Sequence, residues 1–246
     1  MNKVKIGVVG AGIYGSYHIR TYKCHPYVEK VVFCDLNEER KKIAEEKYGV
    51  KGYTTVKEMI LAEQLDAVSI ATSDPYHFEP CKEAIESGIK YLLIEKPMAL
   101  TVDECEEIIR LADENGVKIS VDFHKRWDPA YNCIKTDIKS EDKKIIRGYM
   151  SLDDVIAVPE NWFTWTDKSS PVWFLGVHCY DLIRYITESE VEKVYAVGNK
   201  EVLKKKNNEE RSREIIKNFL IRRSRTNSRR YNNENFKFHF EKRYGF

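Results

Sequence analysis

Val8-Val9-Gly10-Ala11-Gly12-Ile13-Tyr14-Gly15 follows an apolar, β-branched run at Lys5–Val9 and opens Ile13–Cys24, whose helical periodicity stops before Pro26. Three glycines in a GxGxxG pattern are a weak signal alone. Between a strand and a helix they meet the context that a dinucleotide-binding turn requires. Gly10 permits the tight turn, Gly12 lets the backbone approach a pyrophosphate, and Gly15 lets helix and strand pack closely. The pyrophosphate would rest on the free N–H groups at the helix N-terminus.

Working outward, Lys30–Cys34 reads as a second strand and ends at Asp35, 20 residues after Gly15. A carboxylate there accepts hydrogen bonds from the adenosine ribose and repels a 2′-phosphate, which favours NAD, with NADP the alternative. Asn37 caps a charged helix, Glu38–Tyr48, which Gly49 ends, and Thr55 caps Val56–Ala62. Ala67–Ala71 is a buried strand, Pro75–Ser87 a helix ended by Gly88, and Tyr91–Glu95 the next strand. Thr101 and Glu104 form a capping box for a helix that runs to Glu114 and closes at Gly116, before a last strand, Ile119–Phe123. This rhythm predicts an α/β Rossmann domain over residues 1–123, with a mostly parallel sheet covered on both faces.

The rhythm changes after residue 124. Pro129–Lys139 reads as a helix, Ile145–Ser151 as a strand, Ser170–Ile186 as containing a helix, and Val191–Val197 as an alternating strand. Residues 124–203 therefore read as a partial α+β domain.

The chain has 246 residues, of which 42% are hydrophobic, so a buried core is available. No apolar run approaches the roughly 20 residues needed to span a membrane, and the N-terminus does not read as a signal peptide. Six scattered cysteines lack metal-ligand spacing and read as reduced thiols of a cytoplasmic protein, so no metal is expected. Charge is uneven. Residues 204–246 hold 14 Lys/Arg against 5 Asp/Glu, whereas residues 1–203 hold 27 against 34.

Two more segments stand at carboxyl ends of strands, where open α/β sheets bind ligands. They are Ala71–His77, ATSDPYH, and Glu95–Pro97, EKP. With VVGAGIYG, Asp35, RWDP at Arg126–Pro129 and GVHCYD at Gly176–Asp181, they make the chain resemble the Gfo/Idh/MocA oxidoreductases over about residues 3–200. The resemblance implies a second domain with a mostly antiparallel sheet, and a sugar, cyclitol or sugar nucleotide as the small-molecule substrate. It implies cofactor contacts from Gly10, Gly12, Ile13, Tyr14, Gly15, Asp35, Thr72, Ser73, His77, Glu95, Lys96 and Arg126. It also implies that Lys96 holds the reacting oxygen and His178 takes the proton during hydride transfer. Inositol-dehydrogenase-like members carry an Asp four residues before this histidine. Here that residue is Phe174, and Asp181, three residues after His178, is expected to orient the ring instead. Trp162, Trp165 and Trp173 read equally as stacking surfaces for a sugar or as core aromatics.

The tail from Lys204 departs from the family, whose members continue with further sheet strands. It has no Ala, Val, Asp or Pro. Its composition reads as out-of-frame translation after a frameshift near Lys206, which sequencing of the locus tests. Two alternatives to an active oxidoreductase follow. One is a truncated relative that binds dinucleotide without turnover. The other is a nucleic-acid-binding or regulatory protein using the basic tail, which the acidic body disfavours, so no nucleic-acid partner is expected. The resemblance also implies a homo-oligomer, whose usual surface the altered C-terminus would remove. A non-redox, NAD-assisted glycoside hydrolysis is a further alternative that no residue singles out.

Overall fold

The computed structural model describes residues 3–140, 145, 148–199, 215–221 and 236–239, with the backbone alone for 197–199 and the last two stretches. The chain divides into two compact units, Met1–Asp122 and Phe123–Phe246.

The first unit alternates strand and helix. Its elements are β1 (Val4–Val9), α1 (Ile13–Cys24), β2 (Val28–Cys34), α2 (Glu38–Tyr48), β3 (Gly52–Tyr53), α3 (Val56–Glu63), β4 (Ala67–Ile70), α4 (Phe78–Glu86), β5 (Tyr91–Glu95), α5 (Val102–Asn115) and β6 (Lys118–Asp122). The strands form one parallel sheet in the order β3-β2-β1-β4-β5-β6. The order reverses direction between β1 and β4, and loops at that switch point bind ligands in doubly wound folds.

The central strands read as continuous apolar runs because both faces of the sheet are covered. Val8 and Phe33 pack with Ile19 of α1 and Ala44 of α2. Their neighbours Val9 and Val32 point to the opposite face, with Met59 of α3, Ile85 of α4 and Ile108 of α5. The caps set the helix ends. Asn37 and Thr55 accept from the N–H groups of Arg40 and Glu58, and Thr101 and Glu104 complete a reciprocal capping box. Gly49 and Gly116 close α2 and α5 in the left-handed conformation that glycine adopts without strain.

Two details differ from the sequence reading. Gly52–Tyr53 pairs with β2 as a two-residue edge strand too short to carry a periodic signal. The expected helix at Pro75–Ser87 is a 3₁₀ turn, Asp74–Tyr76, followed by α4. Its start moves because the Thr72 hydroxyl donates to the Tyr76 carbonyl at 2.8 Å and the Tyr76 N–H to the Ser73 carbonyl.

In the second unit, α6 (Pro129–Ser140) and α7 (Val177–Thr187) are the described helices of eight residues or more. A π-turn, Val172–Gly176, leads into α7. Gly148–Ser151 carries no strand, while Ile146 and Arg147 lie outside the described residues. Of Val191–Val197, only the end is in a strand, β7 (Ala196–Asn199), after an isolated bridge at Val191. Alternation alone does not make a strand without a partner to pair with. That partner is β8 (Ile215–Ile221), which pairs antiparallel with β7 and with β9 (Phe236–His239). Phe236–His239 thus supplies an edge strand. The rest of the basic tail lies outside the described residues.

Candidate functional site

In the first unit the three glycines occupy three different environments. Gly10 has φ +93°, and a Cβ there would lie 2.8 Å from the Ala71 carbonyl oxygen. A Cβ on Gly15 would lie 1.7 Å from the Gly10 carbonyl oxygen, so any side chain would force α1 off β1. Gly12, the N-cap of α1, would place its Cβ in open space. The turn is therefore closed on its inner side and open where a diphosphate would approach the helix N-terminus. No capping side chain bonds to that end of α1. Ile13 and Tyr14 are exposed beside it.

Asp35 follows β2 and is buried. Its carboxylate accepts from the Ala11 N–H at 2.9 Å and the Asn37 N–H at 2.8 Å, and it pairs with Arg40 at 3.2 Å. The glycine turn and the acidic residue are thus joined by a direct hydrogen bond. Cys34, next to Asp35, has its thiol pushed up to about 12 by burial and then by that carboxylate, so it remains protonated and unreactive.

The loops after β4 and β5 are also tied together. His77 is almost fully buried, with Nδ1 2.6 Å from the Pro97 carbonyl oxygen and Nε2 3.0 Å from that of Thr72. The Lys96–Pro97 peptide bond is cis. Lys96 is buried, and its ammonium lies 5.9 Å from the centroid of the Tyr14 ring. Ser73 is the N-cap of the 3₁₀ turn. The Glu95 carboxylate bonds to His18 at 2.9 Å and to the Lys96 N–H at 3.3 Å. His77 and Glu95, expected as cofactor contacts, each use described bonds to fix the loop that carries Lys96.

Within the second unit, His178 is buried on α7 and meets the His124 ring edge-on, with centroids 4.7 Å apart. Asp181, expected to orient the His178 ring, is buried on the same helix. Its carboxylate takes the Arg126 guanidinium through two bonds, from Nε at 2.7 Å and from Nη2. This pairing raises the arginine's pKa further above its ordinary value. Arg126 is also flanked by the Phe123 and Tyr185 rings. A fork-to-carboxylate pair is strong and geometrically specific, so Asp181 and Arg126 form a strut within this unit. Phe174 packs edge-on against Phe163 while Phe163 stacks on Trp165. An apolar ring stands at position 174 because its surroundings are aromatic. Trp165 is a packed aromatic, and Trp162 is exposed.

The sequence reading missed His18, Ser69 and Asp122. The Nε2 of His18 lies 3.9 Å from Asp122, and its Nδ1 lies 2.6 Å from the Ser69 hydroxyl. One signal was available, since His18 falls three residues after Gly15, on the sheet-facing stripe of α1.

Residues 4–123 match the family model described as an oxidoreductase family with an NAD-binding Rossmann fold. The chain is 25% identical over 203 residues to the uncharacterized oxidoreductase YrbE of Bacillus subtilis, covering 80% of this chain and 57% of that protein. It is 31% identical over 141 residues to an inositol 2-dehydrogenase of Salmonella typhimurium, covering 56% of this chain and 42% of that protein. The crystal structure of scyllo-inositol dehydrogenase from Lactobacillus casei with bound NAD(H) and scyllo-inositol superposes with a TM-score of 0.78 at 18% identity, over 97% of this chain and 70% of that one. The chain spans about half the length of the curated relatives it matches. Among the described residues, no helix is long and apolar enough to cross a membrane.

Proposed function

Since the chain belongs, through residues 4–123, to the Gfo/Idh/MocA family of NAD-binding oxidoreductases, we propose that it binds NAD at the glycine turn and oxidises or reduces one carbinol carbon of a sugar- or inositol-like substrate. The observation that carries this reading is the open N-terminus of α1, with Gly12 facing empty space and Ala11 tied to Asp35. NAD, when bound, supplies the hydride acceptor or donor at nicotinamide C4.

This chain's own residues do the rest. The α1 N–H groups hold the diphosphate, and Asp35 takes the ribose hydroxyls. The Lys96 ammonium binds the reacting oxygen of the substrate. In the oxidising direction the substrate hydroxyl loses its proton to His178 as hydride leaves the carbon, and a neutral imidazole suits that role near neutral pH. Names of relatives support inositols as the substrate class, and that of a D-apiose dehydrogenase supports sugars. A second reading, dinucleotide binding without turnover, is favoured by Asp181, whose carboxylate is committed to Arg126.

Incubation with NAD⁺ and a panel of inositols and aldoses, followed by NADH absorbance, tests the two readings. Formation of NADH that falls by about 100-fold or more in Lys96→Ala supports the oxidoreductase. A sample that binds NADH yet reduces no NAD⁺ with any polyol leaves only the binding protein.

A further inference from the structure

Side chains from α1, β4 and β5, with Asp122 at the end of β6, meet inside the first unit without being part of the dinucleotide turn. The His18 ring is held at both nitrogens, with Nδ1 2.6 Å from the Ser69 Oγ and Nε2 2.9 Å from the Glu95 Oε1. A carboxylate only accepts, so Nε2 carries a hydrogen and donates it to Glu95. The other Glu95 oxygen accepts the Lys96 N–H at 3.3 Å. On the far side of Lys96, the Pro97 carbonyl oxygen lies 2.6 Å from His77, whose other ring nitrogen reaches the Thr72 carbonyl. The residues on either side of Lys96 are therefore each anchored by a buried histidine from another element.

We infer that His18 and His77 are positioning residues that brace Lys96, His18 acting through the Glu95 carboxylate and His77 through the Pro97 carbonyl. The inference rests on the reading of Lys96 as the site lysine. Holding a reacting group in place supplies much of the rate in such chemistry, and a shift of about 1 Å costs on the order of 100-fold. The brace also has a consequence for the cofactor. His18 lies on α1, the same helix whose N-terminus faces the diphosphate, so one element sets both the cofactor seat and the lysine.

The ligand atoms of His18, Glu95 and Asp122 lie within 4.8 Å of one another, a spacing that also fits a divalent cation. The direct 2.9 Å contact and the engagement of both ring nitrogens favour the hydrogen-bonded brace.

The test reads the lysine itself. The full chain is treated with acetic anhydride, and acetylation of Lys96 is followed by peptide mass spectrometry, with Lys90 and Lys118 as references. His18→Leu is expected to raise the Lys96 rate by about tenfold, and Ser69→Ala and His77→Asn by about threefold. His18→Gln, whose amide can still reach Glu95, should fall between His18→Leu and the wild type. The reference lysines should stay within about twofold in the His18 variants. Where His18→Leu does not fold, His18→Gln and Ser69→Ala carry the test. The inference is overturned if Lys96 is unmoved in these variants, or if all three lysines accelerate together. It is also overturned if zinc chloride binds the wild type at one site that His18→Leu abolishes. Wild-type protein that shows the protected Lys96 but binds no NADH would sink the dinucleotide reading while leaving the brace standing.

Discussion

The two units hold their polar groups for different ends. In the first, a packed apolar sheet carries Asp35, His77, Glu95 and Lys96 at or just beyond the carboxyl ends of its strands. Their hydrogen bonds fix the loops, and the α1 N-terminus is left facing outward. In the second unit, the buried apolar side chains among the described residues are Val158, Cys179, Leu182 and Ile183. There the Arg126–Asp181 pair joins α7 to the turn before α6, and the Tyr185–Asn132 bond joins α7 to α6. Where a core is large, polar side chains are free to arrange a site. Where it is small, they also have to hold the fold, and removing one costs more than the contact it makes.

This contrast can be broken at its strongest point first. Gly15→Ala places a Cβ against the Gly10 carbonyl oxygen. It should cost about 3 kcal/mol or more and abolish NADH binding, read by thermal unfolding and by titration. A stable variant that still binds would show that the glycine contact is not what seats α1 on β1.

Asp181→Asn tests the second unit. It strips the charge opposite Arg126, itself partly exposed, and should cost about 2 kcal/mol. All four tryptophans lie between Trp127 and Trp173, so intrinsic tryptophan fluorescence follows this unit alone. Its denaturant midpoint, read by that fluorescence, should drop. An unchanged tryptophan midpoint would mean that the pair is an ornament of the surface.

A smaller effect sharpens the account of the first unit. Lys30, and then the Tyr53 hydroxyl, hold the Glu63 carboxyl down at about 2, below its ordinary 4.5. A depressed carboxyl stabilises the fold above its ordinary range, and that contribution is lost as the pH falls from about 4.5 towards 2. Glu63→Gln should therefore lower stability by about 1 kcal/mol at neutral pH, with the gap to wild type closing in acid. A gap that persists unchanged at low pH would point to packing instead of charge.

Much of the first unit was legible because its signals are local. Asn37, Thr55 and the Thr101–Glu104 box announce helix starts within four residues, and Gly10 to Gly15 announce the turn. What was not legible depends on partners far apart in sequence. His18 meets Glu95 across 77 residues, and Arg126 meets Asp181 across 55. Spacing along α7 puts Asp181 near His178, but gives no sign of the guanidinium from another turn that its carboxylate takes. Gly148–Ser151, expected to end a strand, carries none, since a strand exists only with its neighbour.

Fluorescence titration of the full chain with NADH, beside NADPH, tests whether Gly10, Gly12, Gly15 and Asp35 form an NAD site. Saturable NADH binding that exceeds NADPH binding is expected. Asp35→Ala should weaken it by about tenfold, with circular dichroism showing the variant folded. A folded wild-type sample that binds neither dinucleotide would contradict the NAD site.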